Sequence, residues 1–150
     1  MIETQGDIWE KYDQGQWVVI PTNGDTNRWG LAVMGRGLAK DTAKRIPGMT
    51  YGLAEKLEVE GNHVYEFSDI HLFTFPVKRH WHEDADLALI KRSALELSRF
   101  TNKTDDAKVV YLPRVGCGNG RRMWSEVKPI LESTLDDKFI VVSRASQGLP

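Results

Sequence analysis

Two short apolar runs, Trp17-Val18-Val19-Ile20 and Val109-Val110-Tyr111-Leu112, each stop at a proline, Pro21 and Pro113, and each is followed by a glycine-rich stretch. Apolarity that is continuous rather than alternating means that both faces of such a strand are covered, as in the middle of a layered α/β domain. A third run, Phe139-Ile140-Val141-Val142, has the same character. Between the runs lie helical segments. Residues 84–100 carry Leu87, Ile90, Ala94 and Leu97 at three- and four-residue steps, with Lys91, Arg92, Glu96 and Arg99 elsewhere. Further helices are expected from Leu38 to Lys44, stopping near Pro47-Gly48, over 49–60 before Gly61-Asn62, and over 122–135 with Pro129 as a weak point. Val64-Tyr65-Glu66-Phe67 and His71-Leu72-Phe73-Thr74-Phe75 read as a hairpin through Ser68-Asp69. Strands alternating with helices predict a single three-layer α/β domain with a largely parallel central sheet, its first strand at Trp17.

The 150 residues suit one domain, and 41% hydrophobic with 27% charged residues excludes a disordered chain. A net charge of −1 gives no global basic field, so a nucleic-acid partner would have to be held by a local patch. The single cysteine, Cys117, excludes an intrachain disulfide and fits a reducing compartment. With no basic-then-apolar start and no run of about 20 apolar residues, a cytoplasmic protein without membrane contact is expected, acting as a monomer.

Three loops at expected strand ends carry unusual chemistry: 21–37, 76–82 and 113–120. In Arg114-Val115-Gly116-Cys117-Gly118-Asn119-Gly120, alternate glycines let backbone approach a ligand and bare successive N–H groups. A helix expected directly afterwards would add its N-terminal dipole, favouring an anion such as a diphosphate. A tight turn with no ligand fits that loop alone equally well. Met34-Gly35-Arg36-Gly37 also opens a helix and adds a cation, and two such loops on one sheet edge weigh against both being mere turns. Neither is a dinucleotide fingerprint or a P-loop. Lys78 follows Phe75-Pro76-Val77 with Arg79, His80 and His82 nearby; a lysine beside other cations can act as a nucleophile, while a solvated basic loop is the alternative. His80 and His82 lack a third placed ligand, so no metal site is expected. Cys117 has no histidine to pair with and reads as a small packing residue within its loop.

In order and spacing, Gly6-Asp7-Ile8, Pro21-Thr22-Asn23, Met34-Gly35-Arg36-Gly37-Leu38-Ala39, Phe75-Pro76-Val77-Lys78 and Leu112-Pro113-Arg114-Val115-Gly116-Cys117-Gly118-Asn119-Gly120 resemble a macrodomain, from Gly6 to about Val142. Within that family the sequence looks most like the branch of terminal ADP-ribose glycohydrolases and antitoxins that remove ADP-ribose from DNA. The resemblance implies an α/β/α sandwich with a mixed, mainly parallel sheet, and ADP-ribose as ligand or product with no cofactor. It implies that Asp7 accepts from the adenine amino group, with Ile8 at the ring edge, and that Asn23 faces the distal ribose. Gly35, Arg36 and Gly37 would form one wall; Gly116, Cys117, Gly118, Asn119 and Gly120 would wrap the diphosphate; Lys78 would do the chemistry, as nucleophile toward C1″ of the ribose. Relatives acting on acidic side chains carry an aspartate where this chain has Asn119-Gly120, so the carboxylate for acid–base work is missing there. That leans toward a DNA acceptor without excluding protein. Asp25, in the atypical stretch 24–30, is a candidate replacement, and Arg121-Arg122 a candidate basic lip for phosphate. The implied function is glycohydrolysis of ADP-ribosylated DNA or protein, in a bacterial or phage setting. The alternatives are a non-catalytic ADP-ribose reader, and an ADP-ribose 1″-phosphate phosphatase using His80 or Asp25.

Overall fold

The computed structural model describes residues 1–103 and 108–147. Its six strands are β1 (Ile2–Gln5), β2 (Trp17–Asn23), β3 (Tyr65–Phe67), β4 (Leu72–Lys78), β5 (Val110–Leu112) and β6 (Phe139–Ser143). Its α-helices are α1 (Ile8–Asp13), α2 (Gly37–Arg45), α3 (Met49–Glu60), α4 (Leu87–Asn102) and α5 (Trp124–Glu132). The strand order is β1-β6-β5-β2-β4-β3. Every pairing is parallel except β3 with β4, which are joined by a 3₁₀ turn over Ser68–Ile70.

Alternation along the central strands separates two cores. Val19, Phe73, Phe75, Val110, Leu112, Phe139 and Val141 bury with Ile90, Ala94 and Leu97 of α4 and Val127 and Leu131 of α5. Val18, Ile20 and Leu72 face the other way, onto Ile8 and Trp9 of α1, partly buried Leu38 and Ala39 of α2, and Met49, Leu53 and Ala54 of α3. Helices therefore cover both sides of a mixed, mainly parallel sheet, the three-layer arrangement expected from the continuous apolar runs. The last strand residues of β2 and β4, Asn23 and Lys78, come side by side across a register shift at Thr22/Asn23.

The structure corrects several boundaries. β1 and α1 precede the strand at Trp17: β1 is an edge strand with one apolar residue, and six-residue α1 is too short to show a period. Pro113 does follow the end of its strand, β5 stopping at Leu112, but Pro21 does not end β2. β2 continues through Pro21 to Asn23, because its ladder to β5 covers only Trp17 and Val18, leaving Pro21 in a stretch paired with β4 alone. β4 likewise continues through Pro76, making Lys78 a strand residue. Helix α5 starts at Trp124 rather than directly after Gly120, which puts Arg121, Arg122 and Met123 between its first turn and the glycine loop.

Helix α4 starts at Leu87 because the Asp86 carboxylate caps it, accepting from the N–H groups of Ala88 (2.9 Å) and Leu89 (3.2 Å). Asp86→Ala is expected to cost about 1 kcal/mol. Urea unfolding checks this as a lower midpoint at unchanged slope.

Candidate ligand-binding cleft

The carboxyl ends of β2, β4, β5 and β6 open into a cleft of ≈ 850 Å³, roomy enough for a nucleotide-sized ligand. Its floor includes Thr22, Asn23, Val77 and Lys78. One wall is Gly35, Arg36, Gly37 and the first turn of α2; the facing wall is Gly116, Gly118, Asn119 and Gly120. Gly6, Asp7 and Ile8 lie at one end with Val142, Arg144 and Gln147.

Both walls present backbone N–H donors. The cap residue of α2, Arg36, gives no side-chain hydrogen bond, so the first-turn N–H groups stay open and the helix dipole points into the cleft. Opposite, Cys117 N–H donates to Arg114 O, Arg121 N–H to Gly118 O and Arg122 N–H to Gly116 O, which curls the loop. Among the described residues, the N–H groups of Gly118, Asn119 and Gly120 donate to no other group. The loop needs its glycines: Gly116 has φ +78° with Ile90 Cδ1 2.8 Å from where a Cβ would sit, and a Cβ on Gly120 would strike the Gly116 carbonyl oxygen. This is a surface built to receive an anion from two sides.

Lys78 is only 8% exposed yet lines the cleft. Its Nζ donates to Trp81 O (3.1 Å) and Asn119 O (3.0 Å), tying the second glycine loop to the segment after β4. Burial pushes its pKa below the usual 10.5, the positive charges of Arg36 and Arg121 push the same way, and Asp84 opposes them. A neutral amine has two N–H groups, which match the two carbonyls and leave its lone pair unspent.

Asn23 is beside Lys78 but is committed internally: its Nδ2 donates to Val33 O (3.0 Å) and its Oδ1 accepts from Asp25 N–H (2.9 Å). Asp7 is at the cleft end and caps α1 by accepting from Trp9 N–H (3.0 Å). Cys117 is the ligand-binding candidate that does not line the cleft; its side chain packs on the α4–α5 core, and burial pushes the thiol up to about 11. Arg121 and Arg122 form no lip within it: Arg121 pairs with Asp84 (3.5 Å), and Arg122 Nε donates to Ala85 O (2.7 Å). The sequence reading missed Trp81, Arg144 and Gln147. Trp81 stands three residues after Lys78 and was within reach of it, whereas nothing marked the other two.

Asp25 and His80 meet, but outside the cleft lining. Asp25 Oδ1 is 2.8 Å from His80 Nδ1, and Oδ2 accepts from Trp81 N–H (2.8 Å), so Asp25 is a strut rather than a free carboxylate. Partial burial raises its pKa, yet the bonds from His80 and Trp81 outweigh that and the net shift is downward; the bond from Asp25 raises His80. Asp25's contribution is present above its ordinary 3.8 and fades as pH falls through its lowered value; His80's is present below its ordinary 6.5 and fades as pH rises through its raised value. The pair is therefore fully formed between those ordinary values. Asp25→Asn is expected to return the His80 pKa, followed by NMR titration, to near its ordinary value; an unmoved titration would break the assignment. Among the described residues no group of three His, Cys, Asp or Glu side chains could hold a metal ion, and no helix is long and apolar enough to cross a membrane.

No family model matches the chain. Among solved structures, it is similar to the macrodomain of Mycobacterium tuberculosis DarG, with TM-score 0.76 and 24% identity, covering 95% of this chain and 96% of that one. The macrodomain of Thermus aquaticus DarG aligns over the same shares, with TM-score 0.71 and 21% identity. The chain has the macrodomain fold. Thermosipho africanus DarTG, solved in complex with ADP-ribose, matches this macrodomain with TM-score 0.73 and 20% identity over 90% of this chain and 39% of that one. Curated relatives from Mycobacterium bovis and Mycobacterium tuberculosis, both named DNA ADP-ribosyl glycohydrolase, are 30% identical to it over 131 residues, 79% of this chain. The macrodomain spans 37% of the length of those relatives.

Proposed function

We propose that this macrodomain binds ADP-ribose in the cleft and removes it from an ADP-ribosylated macromolecule, DNA foremost, with Lys78 as nucleophile. One observation carries the reading: a buried lysine with a lowered pKa sits on the floor of a cleft whose two walls both present open N–H groups. The diphosphate lies between the start of α2 and the 116–120 loop, the adenine toward Asp7 and Ile8, and the distal ribose over Lys78. Asn23, tied to Val33 and Asp25, shapes the ribose end through the loop it holds.

The Nζ lone pair forms a bond to C1″ as the bond from C1″ to the acceptor breaks. The acceptor leaves with that electron pair and takes up the proton given up by Nζ. Ring opening of the adduct gives an imine. Water adds to its carbon, and departure of Nζ restores the amine and releases ADP-ribose. No cofactor enters, and a monomer suffices because every wall comes from one chain. The curated relatives' name supports a DNA acceptor, and the absence of a carboxylate at Asn119 agrees with it. A cytoplasmic setting goes with the reading.

A second reading rests on a specific contact. Lys78 Nζ bridges two backbone carbonyls, so it could serve purely as a clamp in a non-catalytic ADP-ribose reader. Mass spectrometry of products from thymidine-modified DNA and glutamate-modified protein separates the two. Free ADP-ribose from either substrate supports the glycohydrolase and names its acceptor; ADP-ribose binding without release from either supports the reader. Phosphate release from ADP-ribose 1″-phosphate would instead point to the phosphatase, for which the Asp25–His80 pair lies outside the cleft lining.

A further inference from the structure

Two tryptophans are among the exposed large side chains, Trp29 at 69% and Trp81 at 45%, and each has an arginine over its ring. Arg28 Cζ is 4.2 Å from the Trp29 ring centroid, and Arg36 Cζ is 5.4 Å from that of Trp81. Among the described residues, neither arginine reaches a carboxylate. The other nearby arginines do: Arg79 pairs with Asp86 and Arg121 with Asp84, both at 3.5 Å. Positive charge that is left unbalanced on this side of the cleft therefore coincides with flat aromatic faces.

Trp29 is held rather than loose. Residues 26–32 form a small hairpin closed by the Thr26–Ala32 bridge and by Asn27 N–H to Leu31 O (2.8 Å). Asn27 Oδ1 accepts from the N–H groups of Trp29 (3.0 Å) and Leu31 (3.1 Å), while Gly30 takes φ +73° to turn the tip. The base of the hairpin is bolted to the Trp81 segment through both oxygens of Asp25. Trp81 lines the cleft, and Trp29 lies four chain steps on from Asp25, a reach of at most roughly 14 Å.

We propose that Arg28-Trp29 and Arg36/Trp81 form a stacking rail for unpaired bases of a single-stranded nucleic acid, leading from the hairpin tip into the ADP-ribose cleft. The chemistry matches on both counts. Aromatic and guanidinium planes stack on bases of any sequence, and the unpaired arginine charges face phosphates. A protein acceptor would call for a contiguous apolar patch, whereas Trp29 is the sole exposed large hydrophobic on residues 24–33. The proposal rests on the ADP-ribose reading only for the register of the strand; binding of unmodified strand is independent of it.

The test uses an unmodified twelve-nucleotide oligodeoxythymidylate, an abasic oligomer of equal charge, and free ADP-ribose as separate probes, with binding read by anisotropy and calorimetry. Trp29→Ala, at an exposed hairpin tip, is expected to weaken oligothymidylate binding about tenfold. ADP-ribose binding should be unchanged in it, and the abasic strand should bind wild type at least as weakly as the mutant binds the oligothymidylate. Equal oligothymidylate affinities for wild type and Trp29→Ala would overturn the rail, as would an abasic strand that binds as well as the base-bearing one. So would an ADP-ribosylated peptide whose binding depends on Trp29 while oligothymidylate binding does not. Failure of wild type to bind ADP-ribose would count against the proposed function instead.

Discussion

Lys78→Ala is expected to lower the rate of ADP-ribose release from a modified oligonucleotide by a factor on the order of 10³ or more. The side chain is the only amine on the cleft floor among the described residues, and its two carbonyl partners leave the lone pair of the neutral form uncommitted. Truncation also strips a donor from Trp81 O and Asn119 O, so some loss of stability belongs to the same variant. Lys78→Met keeps the aliphatic stem and separates the effects. If both variants lose turnover while Met keeps most of the thermal stability and ADP-ribose affinity, the amine is chemical. The pH profile adds a second check: because the pKa of Lys78 is lowered, its neutral fraction rises at lower pH than for an ordinary lysine, and the rate should climb with pH through that lowered value. Turnover that survives in Lys78→Met would end the nucleophile mechanism.

Gly120→Ala is expected to be the most damaging single methyl group on the cleft wall. The added carbon would overlap the Gly116 carbonyl oxygen and come within 2.8 Å of Ala85 Cβ, and neither is the movable end of a flexible chain. Overpacking of this kind costs about 1–3 kcal/mol. Here it also pushes on a loop anchored by Ala85 N–H to Gly120 O, 2.9 Å. ADP-ribose affinity should fall at least about tenfold, a loss of roughly 1.4 kcal/mol. Gly118→Ala is the control, since a Cβ there meets nothing within 4 Å. Denaturant midpoints and calorimetry should separate them, with Gly118→Ala as stable as wild type. Equal stability of the two variants would contradict the packing described for this loop.

What the sequence revealed follows from the range of the interactions involved. Helix α3 was read at its full extent, Met49–Glu60, because Gly48 and Gly61 mark both ends locally. The layering was legible because Val18, Val19 and Ile20 are apolar in succession and each buries completely, on alternate faces. The ends of β2 and β4 were not: Pro21 and Pro76 look like terminators until the partner strands show where an N–H is dispensable. Edge strand β1 has little apolar signal because it depends on backbone pairing with β6 and on Glu3 contacts to Trp124 Nε1 (2.9 Å) and Lys128 (2.7 Å). In the cleft, the glycine loops and Lys78 were visible as motifs. The strut role of Asp25 was hidden, because its partner His80 lies 55 residues away. Cys117 sits inside a cleft motif, yet alternate residues of that loop face opposite ways and its thiol turns to the core.

The central claim is that this cleft is an ADP-ribose site, and calorimetry combined with amide NMR tests it directly. Titration of wild type with ADP-ribose should show one-to-one binding and move the amides of Gly35, Gly37, Gly118, Asn119 and Gly120, while leaving those of distant β3 in place. Absence of binding, or shifts confined to surfaces outside the cleft, would contradict the account.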